Sequence, residues 1–198
     1  MIAFLEGVIE EIGTASVVLN VNGVGYEIFV TDLKPYALQQ TCRFYTYAVY
    51  REDNQQLYGF SSCEQRNFFK LLVEKVNGVG PKLALTLLSF FPLSDLFSIL
   101  FNQDDESLSK CPGVGKKTAQ RLVLELHDYL KKLPVIKTDT SKKSIGLCKD
   151  AAEALIILGY QRKTAEELIA KVYAAEPQLD SVESLLKKAF QYAIKKTI

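Results

Sequence analysis

Along residues 1–62, apolar and polar positions alternate in short runs rich in Val, Tyr and Phe. The runs are IAFLEGVIEEI from Ile2, ASVVLNV from Ala15, YEIFV from Tyr26, RFYTYAVY from Arg43 and QLYGF from Gln56. A period of two places successive side chains on opposite faces of a strand. Gly13-Thr14, Asn22-Gly23, the Lys34-Pro35 region and Arg51 to Asn54 separate the runs with turn-forming residues. From Ser62 the spacing changes to three and four, with Phe68, Phe69, Leu72 and Val76 on one helical face and Ser62 and Gln65 forming an expected capping box. A long helix is expected from Lys116 to Leu133, where Pro134 stops it. The following PVIKTDTSKKSIG is polar, basic and aperiodic, as a linker is. Three short amphipathic runs then close the chain: AAEALIILGY, TAEELIAKVY and SVESLLKKAFQYAI. Gly159 is expected at a helix C′ position, and Asp180 to Glu183 as a capping box.

Strands first and helices afterwards make this a multidomain α+β chain. The expected domains are residues 1–62, a flexible linker at 134–147 between a helical domain at 63–133 and a three-helix module at 148–198. Five strands in 62 residues fit a barrel of the oligonucleotide-binding type, and a small open sandwich would show the same pattern. A module of about 50 residues is small for independent stability, which argues against an enzyme domain there.

The 198 residues hold 24 Lys and Arg against 23 Asp and Glu, so the chain is no generic polycation. Charge is unevenly placed. Net charges are −4 for residues 1–62, +2 for 63–133 and +3 for 134–198. Acids interrupt the first apolar run, so no secretory signal is expected, and Leu83 to Leu93 falls short of the ~20 apolar residues that span a bilayer. A cytoplasmic protein with no membrane segment is the expectation. Cys42, Cys63, Cys111 and Cys148 lie far apart without a CxxC pair, and His127 is the single histidine. Reduced thiols and no metal site follow. A hydrolytic arrangement would have to be built on His127 alone, inside a helical stretch, so no catalytic residue is assigned.

The middle domain repeats itself. At an offset of 35, VNGVGPKLALTLL from Val76 aligns with CPGVGKKTAQRLV from Cys111, sharing Gly-Val-Gly, Lys and Ala. Each copy is expected to be a helix, a tight Gly-x-Gly turn and a second helix opening on lysines: a helix-hairpin-helix. Glycines let the backbone turn and approach a ligand closely, while the next helix aims unpaired N–H groups and its positive dipole end at an anion. The candidate phosphate-binding residues are Gly78, Val79, Gly80 and Lys82 in the first copy. Gly113, Val114, Gly115, Lys116, Lys117 and Arg121 are those of the second. Asn22-Gly23-Val24-Gly25 has the same string but leads into a strand, so it is a hairpin turn. Gly113 to Thr118 is too short for a GxxxxGK[ST] nucleotide loop, and no cofactor is expected.

Together NGVGPKLAL, PGVGKKTAQRLVLEL, GVGYE from Gly23 and REDNQQLYGF from Arg51 resemble the RuvA family, the Holliday-junction-binding subunits of the bacterial branch-migration machine. The resemblance covers nearly the whole chain. It implies a homotetramer, or an octamer of two tetramers on DNA, that holds a four-way junction open while paired hairpins grip the backbones of each arm. It implies no covalent chemistry, with a separate RuvB motor ATPase as partner and the RuvC resolvase as a further one. Glu52 and Asp53, by composition a solvated turn, become the family's acidic pin, which repels phosphates near the strand crossing. The acidic first segment then opposes indiscriminate duplex binding. The C-terminal module is implied to dock RuvB, with Leu158, Tyr160, Leu186 and Phe190 as candidate docking residues. Phe4 and Glu6 stand where family members often carry basic residues, and Tyr50 has no assigned role.

Two other classes remain in view. A helix-hairpin-helix glycosylase would need a catalytic Asp about twenty residues beyond its hairpin, where this chain has Leu133-Pro134-Val135, and neither Asp128 nor Asp139 fits. An RNA-binding barrel would use exposed stacking aromatics.

Overall fold

The computed structural model describes residues 2–52, 54–132 and 145–194. Five strands, β1 (Phe4–Ile12), β2 (Ser16–Val21), β3 (Val24–Val30), β4 (Thr41–Tyr50) and β5 (Gln55–Phe60), form a closed barrel in the order β1-β2-β3-β5-β4. All neighbours are antiparallel except β3 and β5, which pair in parallel. All five expected runs are strands, and closure selects the barrel over the open sandwich. Alternation fills it: Ile9, Val17, Leu19, Ile28, Val30 and Phe44 point inward and are buried.

The opposite face of β4 and β5 seats the helices. Tyr58 and Phe60 turn outward from the barrel and hold the Phe69 ring of α1 (Cys63–Lys75), with centroids 5.0 and 4.9 Å away. Tyr47 meets the same ring edge-on, and its hydroxyl donates to Glu74 at 2.9 Å. The barrel and the first hairpin thus share a tight aromatic joint.

The middle domain continues as α2 (Pro81–Phe90), α3 (Leu93–Phe101), the single turn α4 (Asp105–Leu108) and α5 (Lys116–Lys132). The second hairpin therefore enters through one short turn, capped by Asp104, whose carboxylate accepts the Ser107 N–H at 3.0 Å. His127 is half-buried on α5, its Nε2 3.1 Å from Gln103 Nε2.

The last module is α6 (Ile145–Ile157), α7 (Arg162–Ala175) and α8 (Val182–Ile194). Its first helix begins at Ile145, three residues inside the expected linker. The segment 133–144, most of that linker, lies outside the described residues. Gly159 ends α6 as expected, at φ 110°, with Gly159 N–H bonded to Ile156 O and Tyr160 N–H to Leu155 O. That pattern is a Schellman cap. The two capping boxes are corrected. Ser62 Oγ does accept the Gln65 N–H, but the Gln65 side chain accepts from Ser61 instead of returning to the cap; at α8 the cap is Ser181, which accepts from Ser184 N.

The module does not stand apart. Its buried residues join those of the hairpins in one continuous core running from Tyr58 to Phe190. Phe190 of α8 stacks on Phe97 of α3 with centroids 4.6 Å apart, and Phe97 also meets Phe68 and Tyr160. Gly159 lies so close to α1 that a Cβ there would come within 2.8 Å of Asn67 Cβ and 3.0 Å of Glu64 O. A small module gains stability here by borrowing a neighbour's apolar face.

Candidate nucleic-acid interface

The two hairpin turns are near copies in backbone geometry. Gly78 and Gly113 both sit at φ 82°, a left-handed conformation that a Cβ disfavours. In the first turn Val79 N–H bonds to Val76 O at 3.2 Å and Ala84 N–H to Gly80 O at 3.0 Å. In the second, Val114 N–H bonds to Cys111 O at 3.0 Å and Ala119 N–H to Gly115 O at 2.9 Å. Every partner is displaced by the same 35 residues as the sequence repeat. The turn of β2 and β3, which carries the same Asn-Gly-Val-Gly string, differs: its left-handed residues are Asn22 and Gly23, and a strand follows.

Each turn divides its residues between core and solvent. Val79 and Val114 are 4% and 5% exposed and anchor the turn from beneath. Their amides are spent inside the turn, so these two expected contacts offer a ligand neither a side chain nor a free N–H. The free donors come later. Helical bonding starts at Ala84 in α2 and at Ala119 in α5, which leaves the N–H groups of Lys82 and Leu83, and of Lys116, Lys117 and Thr118, without an intrahelical acceptor. Pro81, at the first position of α2, has no N–H to leave unmatched.

In front of those donors the surface is open. A Cβ at Gly80 or Gly115 would meet nothing within 4 Å, and neither residue has positive φ. The fold has no steric need of glycine there, and the space leaves room for a ligand to approach the backbone. Electrostatics agree. Within the middle domain, the first turns of α1, α3 and α4 carry Glu64, Asp95, and Asp105 with Glu106, whereas those of α2 and α5 carry no acid, as is also true of α6 and α7 in the last module. Acids normally compensate the positive end of a helix, so both hairpin helices are left free to bind an anion. Lys82, Lys116 and Lys117 are exposed beside these ends. Arg121 is also exposed, but its Nη1 reaches back to Asn77 O in the other hairpin at 3.5 Å.

Glu52 is exposed at the tip of the β4–β5 hairpin, a turn closed by Arg51 N–H to Asn54 O at 2.8 Å. Asp53 lies outside the described residues. Tyr50 is 60% exposed at the base of that tip. On the barrel wall Phe4 is exposed, and Glu6 pairs in register with Arg43, whose guanidinium stacks over the Phe4 ring at 4.0 Å. A cation therefore occupies this face from the neighbouring strand.

The C-terminal docking candidates are placed otherwise than expected. Leu158, Leu186 and Phe190 are at most 2% exposed and Tyr160 is half-buried. They form the module's own core and its seat on α1 and α3, not an open patch. Burial, with the Glu64 carboxylate second, pushes the Tyr160 hydroxyl up to about 12. Two residues of the hairpins have no counterpart among the sequence candidates: Asn77 and Glu125, which bond to each other from positions 48 apart. Only their isolation from the apolar pattern marks them in the sequence.

Comparison with known proteins follows the same divisions. Residues 1–59 match the RuvA N-terminal domain, 69–128 a SAM-like tandem helix-hairpin-helix, and 148–193 the RuvA C-terminal domain. Relatives named Holliday junction branch migration complex subunit RuvA match end to end. The one from Opitutus terrae is 37% identical, covering 96% of this chain and 99% of its own. Those from Shewanella denitrificans and Desulforamulus reducens are 40% and 38% identical, over 96% of this chain and 98% and 97% of theirs.

Proposed function

Because the chain belongs to the RuvA family, we propose that it binds four-way DNA junctions as the structure-recognising, non-catalytic subunit of a branch-migration complex. The observation that carries this reading is the matched pair of hairpins, with the same φ at Gly78 and Gly113 and the same pattern of hydrogen bonds. A duplex arm presents phosphates at regular intervals, and two like cradles on one rigid domain suit such a ligand. Each takes a phosphate on the free N–H groups opening α2 or α5, with Lys82, or Lys116 and Lys117, adding charge. Backbone contacts carry no base identity, so recognition is of shape and not of sequence.

Selectivity comes from the opposing charge. Glu52 and Asp53 at the β4–β5 tip form the acidic pin, and in a homotetramer four tips converge where the strands cross. They raise the cost of crowding phosphates there and favour an open junction over continuous duplex. Branch migration is driven by a RuvB-type ATPase on a separate polypeptide, recruited by the C-terminal module. While that module sits on α3, Tyr160 and Phe190 are packed on Phe97, so recruitment through those two requires it to leave that seat. An octamer on DNA, cooperation with a RuvC resolvase and a cytoplasmic location complete the proposal. Among the described residues no single helix is long and apolar enough to cross a membrane.

The test is side-by-side binding of a four-way junction, a duplex of equal length and single-stranded DNA and RNA, with native mass measured with and without the junction. Junction preference with a tetrameric mass supports the reading. Preference for single strands would favour the RNA-binding barrel, excision of a damaged base from duplex the glycosylase, and a monomer in both conditions would remove the convergent pin.

A further inference from the structure

The first hairpin turn is held by the second hairpin's helix. Asn77, the residue leading into Gly78, donates its backbone N–H to Glu125 Oε2 at 2.8 Å and its side-chain Nδ2 to Oε1 at 3.4 Å. Its carbonyl accepts from Arg121 Nη1 at 3.5 Å. Arg121 and Glu125 stand one turn apart on α5, so both backbone polar groups of residue 77 are engaged by the other half of the repeat.

The repeat shows that this clamp is one-sided. At the offset of 35, Asn77 corresponds to Pro112, which has no N–H to hold, Glu125 to Phe90 and Arg121 to Thr86. The second hairpin thus lacks both the donor that a clamp would grip and the groups to grip it. The clamp also carries a penalty. A carboxylate beside a phosphate-binding turn repels the ligand. A partly exposed position on α5 would accept many other side chains, so a structural gain has to offset that repulsion. The gain visible here is a fixed spacing: turn 1 is tied to α5, whose first residues form cradle 2.

We propose that Glu125 is a positioning residue for DNA binding, holding the Asn77 N–H so that the two phosphate cradles form one rigid unit. The inference rests on the reading of the hairpins as DNA sites. The experiment measures junction affinity and melting temperature of the full chain for wild type, Glu125→Ala, Glu125→Gln, Asn77→Pro and the double variant Asn77→Pro with Glu125→Ala. Proline is what the second repeat has at the equivalent Pro112, and Val76 before position 77 is already extended at φ −106° and ψ 115°, as a residue before proline is. Glu125→Ala should weaken junction binding about tenfold, the scale of one hydrogen bond to a charged group. Glu125→Gln keeps an acceptor and should recover most of the loss. In the Asn77→Pro background, Glu125→Ala should cause no further loss, since no N–H remains to be held, and binding should rise slightly as the carboxylate's repulsion is lifted.

Hydrogen exchange at the Asn77 amide gives a reading independent of DNA. It should quicken in Glu125→Ala and stay slow in Glu125→Gln. Unchanged exchange overturns the clamp whether or not the protein binds junctions, and an equal loss in both backgrounds assigns Glu125 a different role. A wild type that fails to bind junctions sinks the DNA reading, while the exchange result still decides the clamp.

Discussion

Gly80→Ala and Gly115→Ala should separate DNA binding from folding. Both positions are open to a methyl group, with nothing within 4 Å, and Gly80, the N-cap of α2, sits at φ −85° and ψ 171°, which alanine adopts freely. Alanine is a poorer N-cap than glycine, and it also narrows the unfolded ensemble by about 0.4–1 kcal/mol. The two effects oppose, so folding stability should stay within about 1 kcal/mol and the melting temperature within about 4 °C. Binding responds differently. A methyl group before the free N–H groups of Lys82 and Leu83, or of Lys116 to Thr118, occupies the space a phosphate oxygen needs. Losing one hydrogen bond to a charged group costs about 1.5–3 kcal/mol, or roughly a tenfold to hundredfold rise in Kd. Every phosphate that no longer reaches its cradle should also lower the slope of log K against log salt by about 0.9. Fluorescence anisotropy with a labelled four-way junction across a salt series, beside thermal melting, reads both quantities. Gly78→Ala is the contrast: at φ 82° it should cost about 1–2 kcal/mol of stability through strain alone. Alanine at 80 and 115 with wild-type affinity and salt slope would refute the cradle.

Glu52→Gln with Asp53→Asn should raise duplex affinity and lower the junction-to-duplex ratio, most strongly at low salt, because screening acts within about 8–10 Å at ordinary ionic strength; equal selectivity at low salt would make the tip an ordinary solvated turn. Deleting residues 145–198 should leave junction affinity nearly intact but lower the melting temperature, since it uncovers Phe97 on α3; loss of binding with an unchanged melting curve would place DNA contacts in the deleted module. Tyr160 has a folded pKa of about 12 against about 10 unfolded, so its contribution is complete below pH 10 and is lost as pH rises toward 12. Tyr160→Phe should therefore resist alkaline melting between pH 10 and 12 better than wild type by about 2–3 kcal/mol at most, and coincident pH–stability curves would contradict that.

Strand and helix, turn and repeat were legible before any tertiary contact was known. The reason is local: the two-residue alternation of RFYTYAVY, the three-and-four spacing around Phe68 and Leu72, and glycines at 78, 113 and 159 each act through backbone sterics within a few residues. The two hairpin turns and the lysines that follow them were legible for the same reason, because a glycine turn leading into a helix is itself a short-range arrangement. Small local errors arose where two nearby candidates compete, as with Ser181 and Asp180 for one cap. What only the tertiary structure decided is which apolar surface meets which. Leu158, Leu186 and Phe190 have the same spacing whether they face a partner or their own chain; the stack on Phe97 and the close approach of Gly159 to Asn67 choose the latter. Val79 and Val114 look equivalent to their flanking glycines until packing draws them into the core. The bond from Glu125 to Asn77 spans 48 residues, and its energy depends on a backbone N–H whose position exists only once both hairpins have packed. Local periodicity sets the elements; their mutual burial, a property of the whole folded chain, sets their pairings.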